Sequence, residues 1–162
     1  MFVSRPTLVA QADLEVCHAL DGVLRTLGFE SVTVGVNHFG NDTPLSQVRS
    51  VMAGCHGAVT LGLRQMAVAS AIMKPDTPSE STLTNFGLVS PWNQIETAMA
   101  YAMDLPLLIV KGNVLGNGIF DAAAVDSFIH EIPARGDWVN SPQLSAALSE
   151  WASKVRDRLV HS

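Results

Sequence analysis

In the stretch "SPWNQIETAMAYAMDLPLLIV", residues 90–110, Glu96 follows Trp92 by four residues. On a helix that spacing puts both side chains on one face. A carboxylate beside an indole, in the first turns of a helix, is partly shielded from water. Such a group can stabilise positive charge developing on a sugar C1′, or attack it as a nucleophile. Glycosidic cleavage through an oxocarbenium-like transition state needs a residue of this kind. The same residue also fits a plainer reading: an acidic side chain near a helix N-terminus, favoured by the helix dipole and simply solvated.

Other candidates gather at predicted strand and helix ends. Ser4 and Arg5 follow the opening run "MFV" and could hold a nucleotide or merely finish a strand. Asn37 and His38 lie in the turn-rich "NHFGNDTP". Arg64 and Gln65 follow the apolar "GAVTLGL", where Arg64 could bind phosphate or pair with a carboxylate. Ser90, Trp92 and Asn93 open the helix that carries Glu96. Several chemistries lack their motifs. There is no GxGxxG after the first strand, no Walker loop, no HExxH, no paired CxxC and no GxSxG elbow. A metal site is therefore not expected.

The elements that must position these residues follow from periodicity. "MFVS" reads as a strand. Leu14, Cys17, Leu20, Leu24 and Leu27 recur at helical spacing, and Gly28 stops that helix. "SVTVGV" reads as a second strand. Asp42 or Thr43 caps a second helix starting at Pro44, with Leu45, Val48, Met52 and Cys55 as its inner stripe. "GAVTLGL", residues 57–63, is apolar nearly throughout, as a strand covered on both faces should be. Residues 64–74 read as a short helix, and the polar stretch up to residue 87 as a long loop. Ser90 caps the next helix and Pro91 takes its first turn, with Ile95, Met99 and Ala102 expected inward. "LPLLIV" is the fourth strand, "SFIHEI" a fifth, with a glycine-containing loop and one helical turn between them. A terminal helix capped by Ser141 turns Leu144, Leu148, Trp151, Val155 and Leu159 inward. Trp138 and Trp151 are expected to pack, and Lys154, Arg156 and Arg158 to face solvent.

Alternating strands and helices predict an α/β fold with a parallel sheet and right-handed crossovers. A flavodoxin-like three-layer arrangement is expected, with five parallel strands in the order 2-1-3-4-5, formed by one domain over 1–162. In such a sheet ligands bind beyond the carboxyl ends of the strands, near the switch in strand order. That places Ser4, Arg5, Arg64 and the helix start at Ser90 together.

The chain has 162 residues, 48% hydrophobic and 15% charged, with a net charge of −5 and a pI near 5.4. This length buries roughly 70% of the unfolded chain's surface. The acidic balance argues against general binding of nucleic acid or anionic membranes. No apolar run approaches the roughly 20 residues of a membrane span, and no signal peptide is visible. A cytoplasmic protein is expected, with Cys17 and Cys55 as buried free thiols; a disulfide stays open on sequence alone.

Three segments resemble bacterial TIR domains and their relatives in the nucleoside 2-deoxyribosyltransferase-like superfamily. "MFVSRPT" is similar to their first strand. "DTPLSQVRSVMAGCHGAVTLGL" is similar to their second helix and third strand. "SPWNQIETAMAYAMDLPLLIV" is similar to their W-x-x-x-E helix followed by a proline and a strand. The likeness covers roughly residues 1 to 112. It implies cleavage of the nicotinamide–ribose bond of NAD, which is substrate and not cofactor. The products would be ADP-ribose, a cyclic ADP-ribose isomer or a conjugate, in antiphage signalling. Glu96 matches the catalytic glutamate and Trp92 the tryptophan, while Ser4 and Arg5 match only loosely. Ser4, Arg5 and Arg64 would hold phosphate or ribose. The resemblance also implies a homo-oligomer and leaves room for a separate sensor or effector protein. Two departures are the longer segment between the third strand and the Glu96 helix, and the unmatched "NHFGNDTP". Nucleoside deoxyribosyl transfer with Glu96 as nucleophile stays open, as does a non-catalytic module that binds a nucleotide or assembles.

Overall fold

The computed structural model describes residues 1–7, 9–35, 43–127, 129–133 and 138–161. In chain order the elements are β1 (Phe2–Ser4), α1 (Gln11–Thr26), α2 (Pro44–Ala53), β2 (Ala58–Gly62), β3 (Met66–Met73), β4 (Ser81–Leu88), α3 (Pro91–Ala102), β5 (Leu107–Lys111), a 3-10 turn (Gly118–Phe120), β6 (Ile129–Glu131) and α4 (Pro142–Val160). The main sheet has four parallel strands in the order β1-β2-β5-β6.

Side chains alternate across the strands, so each strand feeds two cores. Val3, Val59, Leu61, Leu108 and Val110 face α1 and α4, packing with Cys17, Leu20, Leu24, Leu148, Trp151 and Val155. Phe2 and Ala58 face α2 and α3, packing with Val48, Met52, Ala100 and Leu105. Ile109 packs with Val89, Val114, Phe120 and Val125. Helices thus cover both faces of a parallel sheet. The glycines set the limits of approach. A Cβ at Gly62 would lie 2.5 Å from Phe120, and one at Gly57 would lie 2.6 Å from Val155.

The predicted helix ends are found where local chemistry dictates them. Gly28, at φ +83, ends α1 just after Leu27. Ser90 accepts a hydrogen bond from the Asn93 amide, and Ser141 accepts one from the Leu144 amide. Both cysteines are free and buried. Trp138 and Trp151 are buried, as expected of packing residues. Among the described residues, no helix is long and apolar enough to cross a membrane.

Several expectations are corrected. Among the described residues the sheet has four strands in the order β1-β2-β5-β6, not five in the order 2-1-3-4-5. Of the expected strand over 31–36, residues 31–35 are described and contribute the bridge between Val32 and Phe2, because β1 is only three residues long and Gly35 turns at φ +78. Residue 36, the last of that expected strand, and the expected loop from Asn37 through Asp42 lie outside the described residues. Residues 66–73 form a strand, not a helix, and 81–88 pair with them antiparallel from Met66↔Leu88 to Met73↔Ser81. Ala and Met favour a helix locally, but the ladder to β4 supplies the backbone partners. Pro75 and Pro78, with Lys74 and Asp76 at positive φ, make the turn.

On α3 the inward residues are Asn93, Thr97 and Ala100. Ile95 is exposed, Met99 half-buried and Ala102 exposed, contrary to the expected stripe. The helix is turned so that polar side chains meet polar positions on the sheet. Leu14, Leu45 and Leu159, each near a helix end, are exposed, contrary to the expected inner stripes. Lys154, Arg156 and Arg158 are exposed as expected. Arg156 nevertheless bonds the Leu27 carbonyl and lies over the Phe29 ring, and Arg158 bonds the Asp104 carbonyl.

Candidate functional site

The alternation that sends Phe2 toward α3 sends Ser4 the same way. In β2 it does the same for Ala58 and Thr60. Ser4 and Thr60 are register partners on adjacent strands, and both are buried at 1% exposure. Two hydroxyls therefore stand side by side under an otherwise apolar layer. Buried hydroxyls require partners, and α3 supplies them from one face: Asn93, Glu96 and Thr97 at spacings of three and four residues.

The resulting network is short and directional. The Asn93 Nδ2 donates to Ser4 Oγ at 2.8 Å, and Ser4 Oγ donates to Glu96 Oε2 at 2.5 Å. Thr97 Oγ1 donates to the Asn93 carbonyl at 2.5 Å and lies 2.9 Å from Thr60 Oγ1. Since Thr97 has spent its proton on the carbonyl, Thr60 is the donor between the two threonines. Burial pushes the Glu96 carboxyl above its ordinary value, and the Ser4 hydrogen bond pulls it partly back. A carboxylate with raised pKa, in a cleft and with a specific donor, has the character of a functional group.

Glu96 opens into a cavity of about 420 Å³ beyond the carboxyl end of β1. This is within the roughly 300–1,000 Å³ of small-molecule sites. Its walls come from Arg5, Pro6 and Thr7 after β1, from Val34, and from Pro44 and Val48 of α2. Gln65 and the α3 residues Trp92, Asn93 and Glu96 complete it with Ser90. Trp92 is 46% exposed and forms part of the rim. The Arg5 guanidinium is held by Asp21 of α1 at 2.8 Å, which fixes one cation beside the cavity.

The structure thus gathers Ser4, Arg5, Ser90, Trp92, Asn93 and Glu96, all expected from sequence. It does not bring Arg64 among the lining residues. Arg64 is exposed, and its methylenes lie against the hairpin base, where a Cβ at Gly87 would approach them to 2.9 Å. The hairpin that replaces the expected helix and loop carries it away. Asn37 and His38 lie outside the described residues. Sequence reasoning missed Thr60, Thr97 and the α2 wall. The signal for the threonines was present: Thr60 sits mid-strand in "AVTLG", and Thr97 follows Asn93 by one helical turn.

A larger cavity of about 890 Å³ lies further along the sheet edge, between α1 and the ends of β5 and β6. Asp13, Glu15 and Glu131 make it acidic, and Glu131 is paired with Lys111 at 3.1 Å. It lacks the buried network that marks the Glu96 cavity. Among the described residues, no three His, Cys, Asp or Glu side chains cluster as a metal site needs. Comparison with family models, with curated proteins and with solved structures finds no match.

Proposed function

We propose that this chain is a TIR-like enzyme that cleaves the nicotinamide–ribose bond of NAD, with Glu96 as the catalytic carboxylate. The observation that carries the reading is the Glu96 carboxyl itself. It is largely withdrawn from water, held by Ser4, one helical turn from Trp92, and on the wall of a ligand-sized cavity at the carboxyl end of β1. The finer fold reading belongs to the same proposal. Val32 bridges Phe2 on the edge of β1 opposite β2, where the second strand of a flavodoxin-like 2-1-3-4-5 sheet would run.

The chemistry asks little beyond a placed negative charge. The C1′–N bond breaks with both electrons departing on nicotinamide, which leaves neutral because it was bound as a pyridinium. Positive charge builds on the ribose, and Glu96 faces it. Capture by water gives ADP-ribose and releases a proton. Capture by another nucleophile gives a cyclic product or a conjugate. Arg5 would offer its remaining N–H groups to phosphate, and Trp92 would close one side. Purified protein incubated with NAD, beside Glu96→Gln, tests this by chromatography of nicotinamide. Release that persists in the mutant overturns the assignment of Glu96.

A specific feature favours the self-associating reading as an addition. The β3–β4 hairpin exposes Met66, Ile72 and Met73 at 52%, 58% and 40%. Neither strand carries a charged residue. Proteins ordinarily guard open strand edges with charge, and a two-stranded hairpin is marginal alone. A second copy of this chain, adding its own hairpin, is the occupant proposed for that edge.

A further inference from the structure

We propose that Asn93 is a positioning residue for Glu96, acting through the Ser4 hydroxyl. The inference rests on Glu96 being the reacting carboxylate. Ser4 Oγ has two neighbours at hydrogen-bond distance, Asn93 Nδ2 at 2.8 Å and Glu96 Oε2 at 2.5 Å. A hydroxyl has one proton to give. An ionised carboxylate only accepts, and an amide nitrogen only donates. The chain therefore runs one way, from the Asn93 amide to Ser4 and from Ser4 to Glu96. With the amide turned over, its oxygen would compete with Glu96 for the single Ser4 proton.

The amide holds this orientation at a cost. Asn93 is 1% exposed, and its Oδ1 is buried with no hydrogen-bond partner among the described residues. Native proteins rarely leave such an acceptor unpaired, and one that persists calls for a reason. Delivering the N–H to Ser4 is that reason. The Asn93 backbone is pinned to match: its N–H bonds Ser90 Oγ at 3.1 Å, and its carbonyl accepts from Thr97. Asn93 and Glu96 both stand on α3, three residues apart. Ser4 closes a ring between them, which fixes the carboxylate against β1 rather than leaving it to swing across the cavity. A neutral asparagine can set the direction of a hydroxyl that an aspartate here would reverse.

The test uses the full chain labelled with ¹³C at the glutamate carboxyl carbon, titrated by NMR. The Glu96 resonance is the one lost in Glu96→Gln. Ser4→Ala and Asn93→Leu should each move the Glu96 midpoint upward, since each removes support for the charged form. Ser4→Thr, which keeps a hydroxyl, should restore it. In the Ser4→Ala background, Asn93→Leu should add no further shift, because Asn93 acts through Ser4. An unshifted midpoint in Asn93→Leu, or shifts that simply add in the double variant, overturns the proposal. If Asn93→Leu does not fold, Asn93→Ala serves in the same cycle. Turnover separates the two layers. With NAD as substrate, Asn93→Leu should lower kcat roughly 2- to 10-fold with KM little changed, the size expected for a hydrogen bond between neutral groups. Wild-type protein that titrates as described and releases no nicotinamide supports the relay and overturns the NAD reading alone.

Discussion

Ser4 and Thr60 are register partners across β1 and β2, and each reaches α3 through its hydroxyl: Ser4 to Glu96, Thr60 to Thr97. The helix is therefore located on the sheet by two polar contacts set among apolar ones. Hydrophobic packing is non-directional and by itself sets the rotation of α3 about its axis only loosely. The hydroxyl pairs remove that freedom, and with it any latitude in where the carboxylate sits.

Glu96→Gln should abolish glycosidic turnover, with a loss of roughly 10²–10⁴-fold or more, while the protein stays folded. Its stability should move with pH in a defined direction. Burial raises the Glu96 carboxyl, so the folded state holds that proton more tightly than the unfolded chain does. Stability from this group is full below the unfolded carboxylate range and is lost as pH rises through the folded value. The glutamine variant lacks that loss. Its Tm should match wild type at acid pH and exceed it at neutral pH, by about 2–4 °C for each kcal/mol regained. A calorimetric series across pH checks it. A variant that is less stable at neutral pH contradicts the assigned direction.

The two threonines should differ. Thr97→Val strands the Thr60 proton in the core and frees the Asn93 carbonyl, whereas Thr60→Val removes a donor and leaves Thr97 its carbonyl bond. Thr97→Val should cost about 1–3 kcal/mol and Thr60→Val less, with the double variant below the sum. Urea unfolding curves measure all three.

Gly62→Ala should destabilise by about 1–3 kcal/mol, the usual range for overpacking. The added methyl would meet Phe120, itself 1% exposed and without room to retreat. Phe120→Leu in the same chain should recover part of the loss, readable in the same unfolding experiment.

The hairpin edge gives a prediction about assembly. Ile72→Glu introduces charge into an edge that has none, and sedimentation velocity should show a smaller species than wild type at equal concentration. Equal sedimentation of both proteins removes the proposed self-pairing through β3 and β4.

Much of this arrangement was legible in the sequence. The apolar runs at β1, β2 and β5 and the caps at Ser90 and Ser141 follow from local rules that tertiary context did not overturn. Spacing singles out Glu96 and Trp92, and position at the end of the first strand singles out Ser4 and Arg5; the fold brings these four candidates to one cavity. The face of α3 was misjudged because hydrophobic periodicity ranks Ile95 and Met99 above Asn93 and Thr97. Only the position of Ser4 and Thr60 on the sheet reverses that order, and it is a non-local fact. The hairpin was misread for a related reason: "MAVASAIM" has helix-forming composition, and its strand state depends on residues 81–88. Arg64 was misplaced with it, since the direction in which the chain leaves β2 decides where that side chain goes.

The base of the hairpin closes on itself, the Gln65 amide bonding the Leu88 carbonyl at 2.8 Å. A segment whose ends meet can change in length or sequence toward its tip while its base stays closed. The connection from β2 to α3 is in that sense a socket, and the arm a replaceable fitting. Gln65, at the junction, also lines the Glu96 cavity. The arm is thus mounted on a residue of the cavity wall, so a change in how it is seated reaches that wall without the arm itself entering the cavity.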